Sequence, residues 1–539
     1  IEPAEQTDEV KAKLAEITPK CLNPEELTLM DPACGSGHIL VEAYEIFKAI
    51  YLEQGYQLRE IPKLILEKNL FGLDIDIRAT QLTTFALLMK GRADDRRLFD
   101  RGIELNVMAL QDSTDLDAVG LAQQINLSQY GLQLNDLTEL KRLFEHATTF
   151  GSLIQVPEGL LEKLSPLKCL SEVNSQALFV SEELKRIEPL MQQAEMLTAQ
   201  YDAVVANPPY MGSKFFCSAL KDLVNAWYPA GKADLYTAFT LRNIDFASEG
   251  GRVGMITIPN WMFLSSFEDV RQAIFRDAPI LSLVHNGRGV WGSDFGSCSY
   301  VLQRSSPETV AGQFLRLFEK QGSVASNEEL ESRFHSNPRF RTSNADFSKI
   351  PGSPISYWVS DTARSIFGDE PRMSEVTTAA VGLQTSDNER FVRWWHEIDT
   401  EAMGRGIRNS EEASDSGLKW FPLNKGGDYR KWYGNHEHVV NWQRDGHEIR
   451  SFTDANGKVR SRPQGREFYF EESVSWTDVT ASTTAFRLYP TGFIHGNTGH
   501  SIFRLSAERK RALMCLCNNK FYTQIISSVS PTLHFDIGY

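Results

Sequence analysis

Few arrangements satisfy residues 27–44. An apolar run ends at Asp31 and Pro32, two glycines follow at Gly35 and Gly37, and apolar residues recur at three and four from Ile39 onward. The run reads as a strand that proline stops, the glycines as a tight turn, and the recurrence as an amphipathic helix. A strand, a glycine turn and a helix in direct succession form the first βα unit of a doubly wound, nucleotide-binding sheet. The third glycine of a dinucleotide fingerprint is missing, and no Gly-Lys-Ser/Thr follows for a phosphate loop. The strand tip carries an acid instead, and the carboxylate of Asp31 suits a cation or an ammonium better than a pyrophosphate.

A second apolar segment, residues 64–73, ends at Asp74. A carboxylate at the tip of the second strand is the usual device for holding the two hydroxyls of a ribose. Asp74 and Asp76 both also suit the cap of a helix from 78 to 90, and we assign the ribose to Asp74 and the cap to Asp76. A third strand, residues 103–110, leads to Asp112, which either accepts from an adenine amino group or caps a turn. Residues 113–200 are polar and helical in pattern and read as an insertion.

The apolar run 201–206 then ends in Asn207, Pro208, Pro209 and Tyr210. Two prolines terminate a buried strand and stiffen the turn after it. That turn is either a proline-stiffened loop with a capping Asn or a grip on an NH2 group. The Asn207 side-chain oxygen and a backbone carbonyl are two acceptors, and Tyr210 is a flat face for stacking. Further on, Asp234 opens a helix and residues 250–261 give another strand. Residues 284–302 read as two strands around a glycine-rich loop carrying Trp291 and Phe295, which either stack on a ligand or plug the space between strands.

Asp31, Pro32, Ala33, Cys34, Gly35, Ser36 and Gly37, then Asp74, then the residues from Asn207 to Tyr210, resemble in that order the cofactor, acidic and catalytic motifs of the gamma class of adenine-N6 DNA methyltransferases. The stretches beginning at Asp234, Arg252 and Trp291 resemble later motifs of the same class. The chain as a whole, including Gly382, Gln384 and Asn388 and the aromatic tail, resembles the methyltransferases of BREX phage-defence systems. The resemblance implies a Rossmann-like α/β sheet for an S-adenosylmethionine-dependent methyltransferase, with a helical insertion, followed by a mixed α+β target-recognition domain. It implies that residues from Asp31 to Gly37 line the methionine end of the cofactor, Asp74 binds its ribose, Ile75 packs on its adenine and Asp112 meets its amino group. Asn207 and the Pro208 carbonyl would hold the target amine, with the base between Tyr210 and Trp291, and Phe295 as the second choice for that other face. The segment that in this class closes over the cofactor is not recognisable in the first 26 residues.

At 539 residues the chain should hold two or three domains. We divide it into a leading helix and linker (1–26), a methyltransferase domain (27–304), a connector (305–375) and a target-reading domain (376–539). Ile1 and Glu2 are neither an initiator methionine nor a signal sequence, so the chain is expected to begin inside a longer protein. No run is long and apolar enough for a membrane span, and seven cysteines without a Cys-x-x-Cys pair point to a reducing cytoplasm.

The net charge of −14 is unevenly placed: the last 164 residues hold 20 Lys plus Arg against 19 acids. Between residues 425 and 466 there are 9 basic residues against 5 acidic ones. Lys425, Arg430, Lys431, Arg444, Arg450, Arg462 and Arg466 stand there among Tyr429, Trp432, Tyr433 and Trp442, a composition suited to double-stranded DNA. Arg487 and residues near 497–500 offer polar side chains for base edges. His436 and His438 lack a third ligand at a metal spacing, so no metal is expected. Two other readings keep part of this chemistry: methylation of a protein glutamine or an RNA amine, and a DNA-binding defence subunit active only with partners.

Overall fold

A computed structural model describes residues 23–173, 177–290, 296–305, 311–319, 326–369, 373–479 and 484–529. The helix expected near residue 9 lies outside these. The chain divides into two compact units, one of Ile1–Trp261 with Asp269–Asn344 and one of Met262–Glu268 with Ala345–Tyr539.

The first unit is a sheet flanked by helices. In chain order its elements are β1 (Leu29–Asp31), α1 (His38–Glu53), β2 (Leu70–Asp74), α2 (Ile77–Asp94), β3 (Asn106–Ala109), α3 (Leu178–Thr198), β4 (Tyr201–Ala206), α4 (Leu235–Phe246), β5 (Ala247–Thr257), β6 (Ile280–Gly287), β7 (Ser297–Gln303), β8 (Ala311–Arg316) and β9 (Arg339–Ser343). They are ordered β3-β2-β1-β4-β5-β7-β6-β8-β9. The pairings from β3 to β5 are parallel, and β7 runs antiparallel to both neighbours. The sheet grows outward from β1 through β2 to β3 and then resumes on the other side of β1 with β4. Open α/β sheets bind ligands at such a reversal, beyond the carboxyl ends of the strands, which here are those of β1 and β4.

Local chemistry explains these boundaries. Helix α1 buries Leu40, Ala43, Tyr44, Phe47 and Tyr51, a three-and-four spacing that is one helix face. Full burial of each large apolar side chain contributes about 1.5–3 kcal/mol, enough to fix α1 on the sheet. Lys48 pairs with Asp94 at 2.7 Å, and the Tyr44 hydroxyl donates to the same carboxylate at 3.0 Å, which ties α1 to α2. Residues between β3 and α3 are mostly short helices. The sheet continues past residue 304: β8 and β9 lie within the stretch read as a connector and pair antiparallel at its edge.

The second unit holds short strands: Thr378–Ala380, Gly499–Phe503, Ser473–Thr477 and Arg487–Tyr489 in one sheet, and Val392–Trp394, His438–Asn441, Trp420–Asn424 and Ile494–His495 in another. Its core includes Phe391, Phe421, Val440, Trp442, Ile449, Tyr469 and Phe470. Asn424 is fully buried and donates to Ser475 Oγ at 2.7 Å and to Ser501 Oγ at 3.3 Å. A buried amide satisfied on both sides pins these strands in one register.

Candidate active site

Leu29 stands opposite Ala203 and Met30 opposite Val204 on parallel neighbours. Asp31 and Asn207 therefore emerge at the same edge of the sheet, with strands roughly 4.8 Å apart. Asp31 is only 1% exposed. Its Oδ1 accepts the Ala33 N–H at 3.1 Å. Burial pushes its carboxyl up to about 7; the Ala33 N–H pulls against this and the Asp74 charge adds to it.

The turn between β1 and α1 is stitched to the tip of β2. Cys34 N–H donates to the Leu73 carbonyl at 2.9 Å and Gly35 N–H to Asp74 Oδ2 at 2.9 Å. Both glycines have positive φ, 53° and 83°. A Cβ on Gly35 would meet nothing within 4 Å, so the turn is open there, whereas one on Gly37 would lie 2.8 Å from the Thr83 side chain. Thr83, on the buried side of α2, donates Oγ1 to the Gly35 carbonyl at 2.8 Å. Sequence reading missed Thr83, since one polar residue inside a helix leaves no periodic signal.

At the tip of β2 the carboxylates divide their work. Asp76 caps α2 through Arg78 N–H at 2.9 Å, as assigned from the sequence. Asp74 accepts Asp76 N–H at 2.9 Å on its other oxygen. Between them Ile75 is 50% exposed, an apolar side chain left half in water. Asp112 is exposed and accepts both the N–H and the hydroxyl of Thr148, at 2.8 and 2.9 Å, a partner well along the chain rather than its own turn. Each carboxylate oxygen keeps a further lone pair.

Beyond β4, Pro208 is buried while Asn207, Pro209 and Tyr210 are exposed. The Tyr210 hydroxyl donates to Asn207 Oδ1 at 2.8 Å, with the Ile256 carbonyl at 3.3 Å. Its ring meets Tyr236 edge-on at 5.9 Å. Burial pushes the phenol up to about 12, so it stays a donor at neutral pH. Among the described residues, none donates to the Pro208 carbonyl. Asp234 caps α4 and accepts Met211 N–H at 3.0 Å, which fastens the exit of the tetrapeptide to that helix. Burial raises the Asp234 carboxyl above its ordinary range. Trp291 and Phe295 lie outside the described residues.

In the second unit the basic residues separate into kinds. Arg430 pairs with Glu437 at 2.6 Å, Arg450 with Asp445 at 2.7 Å, and Arg466 also with Asp445. Lys431 donates to the Asn518 carbonyl at 2.6 Å. Arg444 and Arg462 are exposed and Lys425 is half-buried, and none of the three is in an ion pair among the described residues. Tyr429, Trp432 and Tyr433 are exposed, whereas Trp442 is core. Trp394 and Trp395, which the sequence did not single out, are also exposed. Arg487 is 1% exposed and holds Thr477 Oγ1 at 2.8 Å, a framework residue and not one available to base edges. His436 packs among Tyr433, Tyr489 and Phe493. The described residues contain no cluster of three or more potential metal ligands.

Residues 68–291 match the family described as Eco57I restriction-modification methylase, and residues 9–119 that described as N-6 DNA Methylase. The chain is 37% identical to the adenine-specific methyltransferase BrxX of Escherichia coli O9:H4 (strain HS), over 100% of this chain and 45% of the relative. It is 32% identical to the adenine-specific methyltransferase PglX of Lacticaseibacillus casei (strain Zhang), over 99% of this chain and 45% of the relative. Both relatives are named as adenine-specific methyltransferases, and this chain is similar to them along its whole length. It spans about half the length of the curated relatives it matches. Among solved structures, a nuclease-deletion mutant of the Type ISP restriction-modification enzyme LlaGI shares the fold, with a TM-score of 0.52 and 7% identity over 96% of this chain and 43% of that one. The first matched region contains Asp74 and Asn207, and the second contains the turn after Asp31.

Proposed function

We propose that this chain carries the methyl-transferring and target-reading parts of a site-specific DNA methyltransferase. It moves a methyl group from S-adenosylmethionine to the N6 amino group of adenine, as the host-marking component of a BREX-type phage-defence system. The observation that carries the reading is the juxtaposition of the Asp31 turn and Asn207 on adjacent parallel strands, at the point where the sheet reverses its growth. The relatives support it, since they are named as adenine-specific methyltransferases.

The residues present fit the cofactor. The open face at Gly35 admits a ligand against backbone, Asp74 offers acceptors to ribose hydroxyls, and the half-exposed Ile75 offers apolar surface to adenine. Asp31 complements the cationic end. When bound, S-adenosylmethionine supplies an electrophilic methyl on a sulfonium.

This chain's own residues act on the other partner. The exocyclic nitrogen of adenine is a weak nucleophile because its lone pair is delocalised into the ring. Asn207 Oδ1 and the Pro208 carbonyl accept its two N–H bonds, which draws the nitrogen towards tetrahedral geometry and frees the pair. Held by these two acceptors, the nitrogen would be able to take up the methyl group as its carbon–sulfur bond breaks, and would then release a proton. Positioning and electrostatics supply the acceleration. The adenine must leave the duplex to be reached, and Tyr210 is one face on which it stacks. Double-stranded DNA is the substrate, held by the second unit, and other defence proteins are its partners.

Incubation of the full-length protein with labelled cofactor and with unmodified bacterial DNA, RNA or cell protein tests the proposal. Label in DNA alone is expected. Label in RNA or protein with none in DNA would overturn the substrate, and cofactor binding without transfer to any of them would overturn the activity of the protein acting alone.

A further inference from the structure

Residues 148–153, between β3 and α3, touch the tips of three strands in succession. Thr148 donates twice to Asp112 beyond β3. Gly151 backs Ile75 beyond β2: with φ at +59°, it sits where a Cβ would fall 3.2 Å from Ile75 Cγ2. Ser152 donates Oγ to the Pro32 carbonyl beyond β1 at 2.6 Å. Phe150 and Leu153 also share one apolar cluster with Ala33 and with Met211, the residue after Tyr210.

The segment is held from behind by α4. The buried Arg242 guanidinium donates to the carbonyls of Ser152 at 2.9 Å, Ile154 at 2.8 Å and Leu197 at 2.7 Å, and lies 3.8 Å over the Phe246 ring. Tyr228 donates to the Leu153 carbonyl at 2.9 Å. Burying a guanidinium is costly unless its donors are used, and here two of its bonds fix carbonyls at the end of this segment while the third ties them to α3.

We infer that residues 148–153 form a wall of the S-adenosylmethionine site on its adenosine side, with Arg242 as the positioning residue that sets the wall against the strand tips. The inference rests on the cofactor reading above. Its contacts fall on Pro32, Ile75 and Asp112, one residue at the tip of each of the three strands that present the cofactor side. Helix α4 also carries Asp234 at its start, so one helix sets both this wall and the exit of the Asn207 turn.

The test uses the full-length protein, with S-adenosylmethionine affinity measured by calorimetry and methyl transfer to DNA by steady-state kinetics. Ser152→Ala removes one buried hydrogen bond and should weaken cofactor binding about two- to tenfold, with KM for the cofactor rising more than kcat falls. Arg242→Lys, which loses the Nε bond to the Ser152 carbonyl, should weaken it further. Tyr51→Phe, on α1, removes the buried bond to Asn69 and serves as a control for equal loss of melting temperature. Weakened cofactor binding in Ser152→Ala and Arg242→Lys but not in Tyr51→Phe supports the inference. Wild-type affinity in both, while Asp74→Ala loses binding, overturns the inference and leaves the cofactor reading standing. No binding by the wild-type protein overturns the cofactor reading itself.

Discussion

The Tyr210 hydroxyl donates to Asn207 Oδ1 at 2.8 Å, so the side-chain acceptor assigned to the target amine already has one partner. A carbonyl oxygen has a second lone pair, and the phenol also has the Ile256 carbonyl at 3.3 Å as an alternative acceptor. The tyrosine thus orders the asparagine before any base arrives.

Tyr210→Phe keeps the ring and removes the donor. It should hold a flipped base as well as wild type and lower the transfer rate less than about tenfold, the scale of one hydrogen bond. Tyr210→Ala loses the stack, worth about 1–3 kcal/mol, and should lower kcat/KM roughly 5- to 150-fold. Single-turnover transfer with a fluorescent purine at the target position separates the two. An equal loss in both variants would contradict the stacking role.

Asp31 predicts a pH dependence. Its folded carboxyl is raised to about 7 from 3.8, so between those values the folded state keeps a proton that the unfolded chain releases. Its contribution to stability is present at low pH and is lost as pH rises to about 7. Without cofactor, Asp31→Asn should therefore gain melting temperature over wild type between pH 5 and 7, with no further gain above. Cofactor affinity runs the other way: the cation favours the carboxylate, so wild-type binding should tighten from pH 5.5 to 7, whereas binding by Asp31→Asn should stay flat. Parallel profiles would contradict the assignment.

Gly37→Ala places a Cβ 2.8 Å from Thr83 at a φ of +83°. The strain of positive φ is of order 1–3 kcal/mol, and displacing Thr83 also loosens its bond to the Gly35 carbonyl. Cofactor affinity should fall at least tenfold. Gly35→Ala carries only the φ cost, since nothing lies within 4 Å of its Cβ, and should lose less stability in the absence of cofactor.

The strands, the glycine turn and the Asn207 tetrapeptide were legible because periodicity, glycine and proline act locally. Thr83, Ser152 and Arg242 were not, since each works through a partner far along the chain: Ser152 and Pro32 are 120 residues apart. Trp442, which composition left open between a binding face and a core, and Arg487, offered for base edges, are both buried, because an aromatic or an arginine reads the same in a core as on a binding face. The connector reading of residues 305–375 rested on polarity, yet β8 pairs on both sides within the sheet and β9 forms its edge.

The same distinction predicts DNA binding. Arg444→Ala with Arg462→Ala should weaken binding across all sequences and reduce the slope of log K against log salt by about 0.9 for each phosphate no longer neutralised. Arg487→Ala should lower melting temperature, leaving its Thr477 and backbone partners unsatisfied, without changing that slope. A slope unchanged in the double variant would move the DNA surface elsewhere.

The central claim is that Asn207 holds an adenine amine for methylation. Methylated bases are mapped in unmodified DNA after reaction with full-length wild type and with Asn207→Ala, alongside cofactor affinity for each. N6-methyladenine is expected at one defined sequence context with wild type, and none with the variant, whose cofactor affinity stays within a few-fold. Methylation persisting in Asn207→Ala, or lost only because the cofactor no longer binds, would contradict that claim.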